Sequence, residues 1–168
     1  ERKRIEPALV EMEEKDKKIT FTTKEMVLTL RKDPFSFVLK DLQGNLIYKD
    51  LKERAYEKDH LGRLFHYTCM DPQKDHFYGF GEKTGHLDKK GRRMRMSPKD
   101  AIGHDPEIGE PLYKHIPFYM RTDERTGKTV GFFYNNAHDS IFDMGNEISG
   151  YWERYAYYQV DGGDLDLF

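Results

Sequence analysis

Residues 18–40 have the sequence KITFTTKEMVLTLRKDPFSFVLK, in which apolar side chains recur at every second position. Ile19 and Phe21 alternate with polar neighbours, and Met26, Leu28 and Leu30 repeat the pattern after a short polar break. A period of two is typical of a β-strand that buries one face and exposes the other. This stretch therefore predicts consecutive strands of a β-meander near the start of the chain.

Similar runs continue outward from this stretch to the end of the chain. They predict further strands over residues 64–70, 76–81, 115–121, 129–135, 139–144, 151–160 and 163–168. The charge-dense residues 49–62 are compatible with a loop, an edge strand or one helical turn. Residues 82–114 lack periodicity, and a loop of that length is usually functional or mobile. The pattern predicts one all-β domain over residues 1–168, either a sandwich or a barrel.

The overall charge excludes several classes of protein. The 168 residues include 28 Lys and Arg and 30 Asp and Glu, which gives a formal net charge of −2. A nearly neutral chain has no general electrostatic reason to bind nucleic acid or an anionic membrane. No apolar run reaches the roughly 20 residues of a membrane-spanning helix. We therefore expect neither nucleic acid nor a membrane as a partner.

The ends of the chain and its single cysteine suggest a cellular compartment and a longer parent polypeptide. Cys69 is alone, so no disulfide can form within the chain, and its place in a strand pattern predicts a buried free thiol. A fold without disulfides fits a reducing compartment, and no signal peptide is visible after Glu1, so we expect a cytoplasmic protein. Residues 165–168 alternate like a strand in mid-run, which suggests a fragment of a longer polypeptide.

The residue types that usually bind metals or phosphates do not form a recognisable site. No two of the seven histidines are three or four residues apart, and the single cysteine, Cys69, cannot supply the paired cysteines typical of a zinc site. Residues 79–85 are rich in glycine, but their spacing fits neither glycine fingerprint and no helix pattern follows. We therefore expect no metal and no cofactor. For residues 79–85 we expect a strand that ends in a Gly-rich turn.

Two acidic positions are candidates for sugar chemistry. Asp100 lies among Arg, His and apolar residues in the long loop, where binding residues concentrate. Its carboxylate could accept two hydrogen bonds from vicinal hydroxyls of a sugar. Asp143 and Glu147 suggest the carboxylate pair of a glycoside hydrolase. However, Asp143 precedes Gly145 by two residues, which favours a strand end and a turn, so we assign no catalytic residue.

Several motifs, taken in order, resemble the N-terminal domain of glycoside hydrolase family 31, the α-glucosidase and α-xylosidase family. The matching segments are Tyr78-Gly79-Phe80-Gly81-Glu82 with Gly85, Met96-Ser97-Pro98-Lys99-Asp100-Ala101, residues 110–118, residues 131–136 with 142–145, and Gly162-Gly163-Asp164-Leu165-Asp166. The resemblance as a whole covers roughly Ile19 to the end of the chain. Each motif is weak by itself, but five in the same order are specific.

The resemblance implies a β-sandwich of the galactose-mutarotase-like type that precedes a (β/α)8 catalytic barrel. In the family the two catalytic aspartates lie in that barrel, so this fragment is expected to be inactive alone. One loop of the sandwich covers the mouth of the barrel and carries an acidic residue that contacts the sugar. Asp100 matches it by position, whereas Ser97 replaces the aromatic residue of the family motif. The implied partners are an α-linked oligosaccharide or glycoside and the parent's own barrel.

Two hypotheses from different classes follow from these observations. The first is the N-terminal sandwich of a retaining, α-glucosidase-like hydrolase that shapes the substrate pocket and packs on the barrel. The second is a stand-alone carbohydrate-binding or aldose-epimerase-like sandwich. An epimerase would need a histidine and a carboxylate that converge on a sugar, and no spacing in the sequence indicates such a pair.

Overall fold

The computed structural model describes residues 9–109 and 111–168. These residues form thirteen β-strands and no helix, so none of them could span a membrane as a helix. The all-β prediction is therefore confirmed. The strands are β1 (Glu11–Lys15), β2 (Lys18–Thr22), β3 (Met26–Lys32), β4 (Phe35–Asp41), β5 (Leu46–Lys49), β6 (Tyr56–Lys58), β7 (Leu64–Cys69), β8 (Asp75–Gly81), β9 (Arg93–Met96), β10 (His115–Asp123), β11 (Thr129–Phe133), β12 (Ser140–Asp143) and β13 (Tyr155–Val160).

The strands form three antiparallel sheets. Sheet 1 is a meander in which β1 to β5 follow one another in chain order. Leu28 lies opposite Leu39 and Leu30 lies opposite Phe37 in this sheet, so apolar side chains meet across neighbouring strands. Sheet 2 has the order β11-β10-β8, and sheet 3 has the order β6-β7-β13-β12-β9.

The main hydrophobic core lies between sheets 2 and 3, which makes the fold a β-sandwich. Phe80 of sheet 2 and Phe142 of sheet 3 are fully buried, and their ring centroids are 5.2 Å apart in an edge-on arrangement. Tyr119 and Phe132 stack on the sheet 2 side at 5.0 Å. Tyr48 extends this core to the end of sheet 1. Burial of several aromatic rings at one place contributes most of the driving force for folding.

A second apolar layer covers the outer face of sheet 3. Tyr155 and Tyr157 of β13 pack there with Tyr67 and Trp152, whereas Tyr158 points into the main core. Both faces of β13 are therefore buried, and all six of its residues are buried. The central position of β13 explains why residues 155–160 include no charged side chain.

The structure differs from the sequence-based strands in four places. β1 was not predicted because all five of its side chains are exposed, so it has no apolar alternation. It joins the sheet through backbone pairing with β2 and an ion pair between Glu14 and Lys32. β9 has the alternation, but over four residues within a polar stretch. The predicted strand at 163–168 is wrong: Leu167 forms an isolated bridge with Tyr134, and Asp166 and Phe168 make backbone hydrogen bonds beside it, but these residues form no regular strand. The strand at 151–160 begins only at Tyr155.

Candidate functional site

The glycine motif at the end of β8 places three consecutive residues in left-handed backbone conformations. Gly79, Phe80 and Gly81 have φ angles of 121°, 69° and 78°. A Cβ atom on Gly81 would lie 2.6 Å from the backbone oxygen of Lys114 and 2.8 Å from the backbone nitrogen of Ile116. Glycine is required at this position because β8 passes directly against the β10 backbone. The motif ends a strand, as the sequence predicts.

A buried lysine holds loop 82–92, which follows the motif. Lys89 is 5% exposed, and its ammonium donates hydrogen bonds to the backbone oxygens of Thr84 at 2.7 Å and His86 at 2.5 Å. Its backbone N–H donates to the oxygen of Phe77 in β8 at 2.8 Å. Removal of an ammonium from water costs several kcal/mol unless acceptors surround it, as these carbonyls do. The lysine therefore fixes the loop against the sandwich.

Asp100 lies in loop 97–114, between β9 and β10, with its side chain exposed to solvent. The hydroxyl of Tyr113 donates a hydrogen bond to Asp100 Oδ1 across the width of the loop. The backbone N–H of Lys99 donates to the oxygen of Leu112 at 3.2 Å, and Leu112 is buried. The loop is thus closed at its base and presents a carboxylate at its surface. The sequence singled out Asp100 but did not indicate its contact with Tyr113.

Asp143 cannot act as a nucleophile, because the fold uses its carboxylate completely. The side chain is fully buried, and its Oδ1 accepts hydrogen bonds from the backbone N–H groups of Gly145, Asn146 and Glu147 at 2.7 to 3.2 Å. Its Oδ2 accepts a hydrogen bond from Arg93 Nε at 2.8 Å. The carboxylate caps the turn that follows β12, which confirms the prediction of a strand end and a turn.

A histidine and a carboxylate converge inside the fold where the sequence indicated no such pair. His66 Nε2 lies 3.0 Å from Asp50 Oδ1, and His66 Nδ1 lies 2.8 Å from the hydroxyl of Tyr134. The Tyr48 hydroxyl donates to the same Asp50 oxygen at 2.5 Å, and the backbone N–H of Phe37 donates to Asp50 Oδ2 at 2.8 Å. These groups come from sheets 1, 2 and 3 or the residues next to them, so the network links the three sheets.

The network is arranged for structure and not for epimerase chemistry. A cavity of about 470 Å³ borders His66 and is otherwise lined mainly by apolar and aromatic residues, among them Phe35 and Leu165. Both ring nitrogens of His66 and both oxygens of Asp50 already have partners within the protein. Burial raises the pKa of the Tyr48 and Tyr134 phenols well above the usual value, so both stay protonated donors. An epimerase needs a base that can reach its sugar, whereas His66 and Asp50 have their hydrogen-bond partners within the protein.

The remaining candidate groups are also explained by the fold. Cys69 is a buried free thiol, as predicted, and burial raises its pKa to about 12, so the reactive thiolate is scarce. Within the described ranges, no group of three or more His, Cys, Asp or Glu side chains is placed to hold a metal ion. The exposed carboxylate of Asp100, on its closed loop, is the candidate for contact with a ligand.

Comparison with known proteins gives the family. Residues 1–143 match the model of the glycosyl hydrolase 31 N-terminal galactose mutarotase-like domain. The chain is 33% identical over 156 residues to alpha-glucosidase 2 of Bacillus thermoamyloliquefaciens, which covers 92% of this chain and 19% of that protein. It is 39% identical over 74 residues to an alpha-glucosidase of Saccharolobus solfataricus, which covers 44% of this chain and 10% of that one. The chain thus spans a fifth or less of these relatives.

A solved structure has the same fold. A dextranase of Flavobacterium johnsoniae superposes with a TM-score of 0.80 at 24% identity, over 94% of this chain and 18% of that chain. The all-β architecture with antiparallel sheets agrees with this assignment. With 143 of its 168 residues matched, the chain belongs to the glycosyl hydrolase 31 family as an N-terminal galactose mutarotase-like domain.

Proposed function

We propose that this chain is the pocket-shaping part of a retaining α-glucosidase-like enzyme that hydrolyses terminal α-linked sugars. The observation that carries the proposal is the exposed Asp100 carboxylate on a loop closed at its base. Two curated relatives are alpha-glucosidases, and the dextranase of similar fold was solved with isomaltotriose bound. An α-linked glycoside is accordingly the proposed substrate of the parent.

The catalytic carboxylates belong elsewhere in the parent. Retaining hydrolysis needs a nucleophile and an acid/base, which are about 5–5.5 Å apart on either side of the scissile bond. The carboxylate of Asp143 is used by its turn, and that of Asp50 is buried in the network. The proposed role of this domain is therefore to bind and orient the sugar, and the proposed role of the barrel is to provide the nucleophile and the acid/base.

Asp100 is proposed to hold hydroxyls of the sugar at the mouth of the pocket. A carboxylate accepts hydrogen bonds through both of its oxygens, and bonds to a charged acceptor are worth about 1.5–3 kcal/mol each. An aspartate on a loop closed at its base can therefore bind a sugar without ordering a long side chain first. Such contacts lower KM and, where they tighten in the transition state, also raise kcat.

We expect Asp100→Ala in the full-length enzyme to lower kcat/KM roughly 10- to 100-fold, the equivalent of one lost charged hydrogen bond. Steady-state kinetics with an aryl α-glucoside would measure this change. Glu25→Ala is the matched control, because Glu25 is an exposed carboxylate in the turn between β2 and β3. Its kinetics should equal those of the wild type. Unchanged kinetics in Asp100→Ala, or hydrolysis by the 168-residue chain alone, would refute the proposal.

The outer face of sheet 2 is proposed to pack on the catalytic barrel of the parent. Ile116, Phe118 and Met120 alternate along β10 and are 52%, 38% and 41% exposed, and Phe133 of β11 lies opposite Phe118. The backbones of Phe133 and Phe168 exchange two hydrogen bonds of 2.9 Å, so a polypeptide continuing beyond Phe168 would begin beside this face. The relatives are at least five times longer than the matched region. The additional sequence of such a parent would contain the domain that covers this face.

We expect the isolated chain to self-associate through this face, because large exposed apolar patches drive association. Phe118→Lys should shift the chain towards the monomer in sedimentation velocity at high protein concentration. Leu61→Lys is the matched control, because Leu61 is 65% exposed in the short turn between β6 and β7. It should leave association unchanged. A wild-type chain that stays monomeric, or equal association in both variants, would contradict the assignment of the face.

A further inference from the structure

The contact between Tyr113 and Asp100 closes loop 97–114 at its outer end. Thirteen residues separate the two side chains along the chain, and the phenol donates to Oδ1 of the carboxylate. Buried Leu112, next to Tyr113, anchors the base of the phenol to the sandwich. Its backbone oxygen lies 2.7 Å from His115 Nε2, which ties this end of the loop to β10. These contacts hold the backbone on the Tyr113 side of the loop against β10.

The hydrogen bond determines which part of the carboxylate can meet a ligand. Oδ1 is occupied by the phenol, and within the described part of the chain Oδ2 accepts no hydrogen bond. The bond to Asp100 raises the pKa of the Tyr113 phenol, so it remains a donor at neutral pH. A side chain fixed in one rotamer before binding does not lose that freedom when the ligand arrives.

We propose that Tyr113 is a positioning residue that aims Asp100 Oδ2 at a sugar hydroxyl of an α-linked glycoside. This inference rests on the proposed function of Asp100. The tyrosine is 58% exposed, so its hydroxyl contributes little to folding. A role in stability and a role in positioning are therefore separable by experiment.

The test is a double-mutant cycle in the full-length enzyme with Tyr113→Phe, Asp100→Ala and the double variant. Tyr113→Phe should lower kcat/KM roughly three- to tenfold, mainly through KM, while its melting temperature stays that of the wild type. The double variant should lose no more than Asp100→Ala alone, since the tyrosine acts through the aspartate. Tyr151→Phe, an 84% exposed tyrosine outside the loop, should have wild-type kinetics.

Each unfavourable outcome has a distinct meaning. Losses that multiply in the double variant, or wild-type kinetics in Tyr113→Phe, overturn the positioning role and leave the role of Asp100 standing. Wild-type kinetics in Asp100→Ala overturn both. A lowered melting temperature in Tyr113→Phe that accounts for its loss of activity also overturns the positioning role, because the hydroxyl would then serve the fold.

Discussion

Asp50→Ala is expected to lower the free energy of unfolding of this chain by about 3–5 kcal/mol. The carboxylate is fully buried and accepts hydrogen bonds from Tyr48 and the backbone of Phe37, with His66 Nε2 at 3.0 Å. Its removal leaves three polar groups in the interior without this acceptor. A buried donor that loses its partner costs about 1–3 kcal/mol, since water cannot reach it. The loss of unfolding free energy should be large because the substitution weakens the contact between the sheets.

Urea unfolding of the 168-residue chain, followed by tyrosine fluorescence or circular dichroism, would measure the change. Asp164→Ala is the matched control: Asp164 is exposed in the segment after β13. Surface substitutions of this kind usually change stability by less than about 0.5 kcal/mol. A similar, small effect in both variants would show that the Asp50 network does not hold the sheets together.

Gly81→Ala should destabilise the chain by about 2–5 kcal/mol, for two physical reasons that add. Its φ angle of 78° costs an L-residue about 1–2 kcal/mol. The new Cβ would also lie 2.6 Å from the backbone oxygen of Lys114, and relief of such an overlap typically costs about 1–3 kcal/mol. The Lys114 oxygen belongs to the backbone and cannot move aside as the end of a flexible side chain would, so β8 and β10 would have to separate. The register of these strands already shifts between His115 and Tyr119.

Gly62→Ala separates the two contributions. Gly62 has a φ angle of 84°, but a Cβ there would meet no atom within 4 Å. This variant should therefore lose only the conformational part, about 1–2 kcal/mol. Urea unfolding of both variants under the same conditions gives the difference. Equal losses would mean that the close approach of β8 to β10 does not require glycine at position 81.

The strands of sheet 1 were predictable because their physical cause is local. Ile19 and Phe21 lie opposite Leu30 and Leu28, so the alternation in the sequence is the same alternation that the sheet buries. β1 escaped prediction because a strand with no buried face leaves no pattern in its side chains. The alternation after Gly163 did not give a strand: the segment forms one isolated bridge, between Leu167 and Tyr134, and a few backbone hydrogen bonds to Phe133 and Asn135.

The candidate site was predictable in part. Asp100 was found from the motifs that resemble the family, and the turn at Asp143 was found from the glycine that follows it. Tyr113 lies within a quoted motif, but only the folded loop shows that its hydroxyl reaches Asp100. His66 lies 16 residues from Asp50 and 68 residues from Tyr134 along the chain, so no spacing rule could have connected the three.

The sequence by itself determined the fold class, the glycines at the end of β8, the free thiol of Cys69 and the family. All of these depend on neighbouring residues or on motifs along the chain. The tertiary structure decided which carboxylates are available for binding. Asp50 and Asp143 have the same chemistry as Asp100, yet both are fully buried while Asp100 is exposed. Burial and hydrogen bonding depend on contacts between distant residues, and for that reason only the folded chain distinguishes the three.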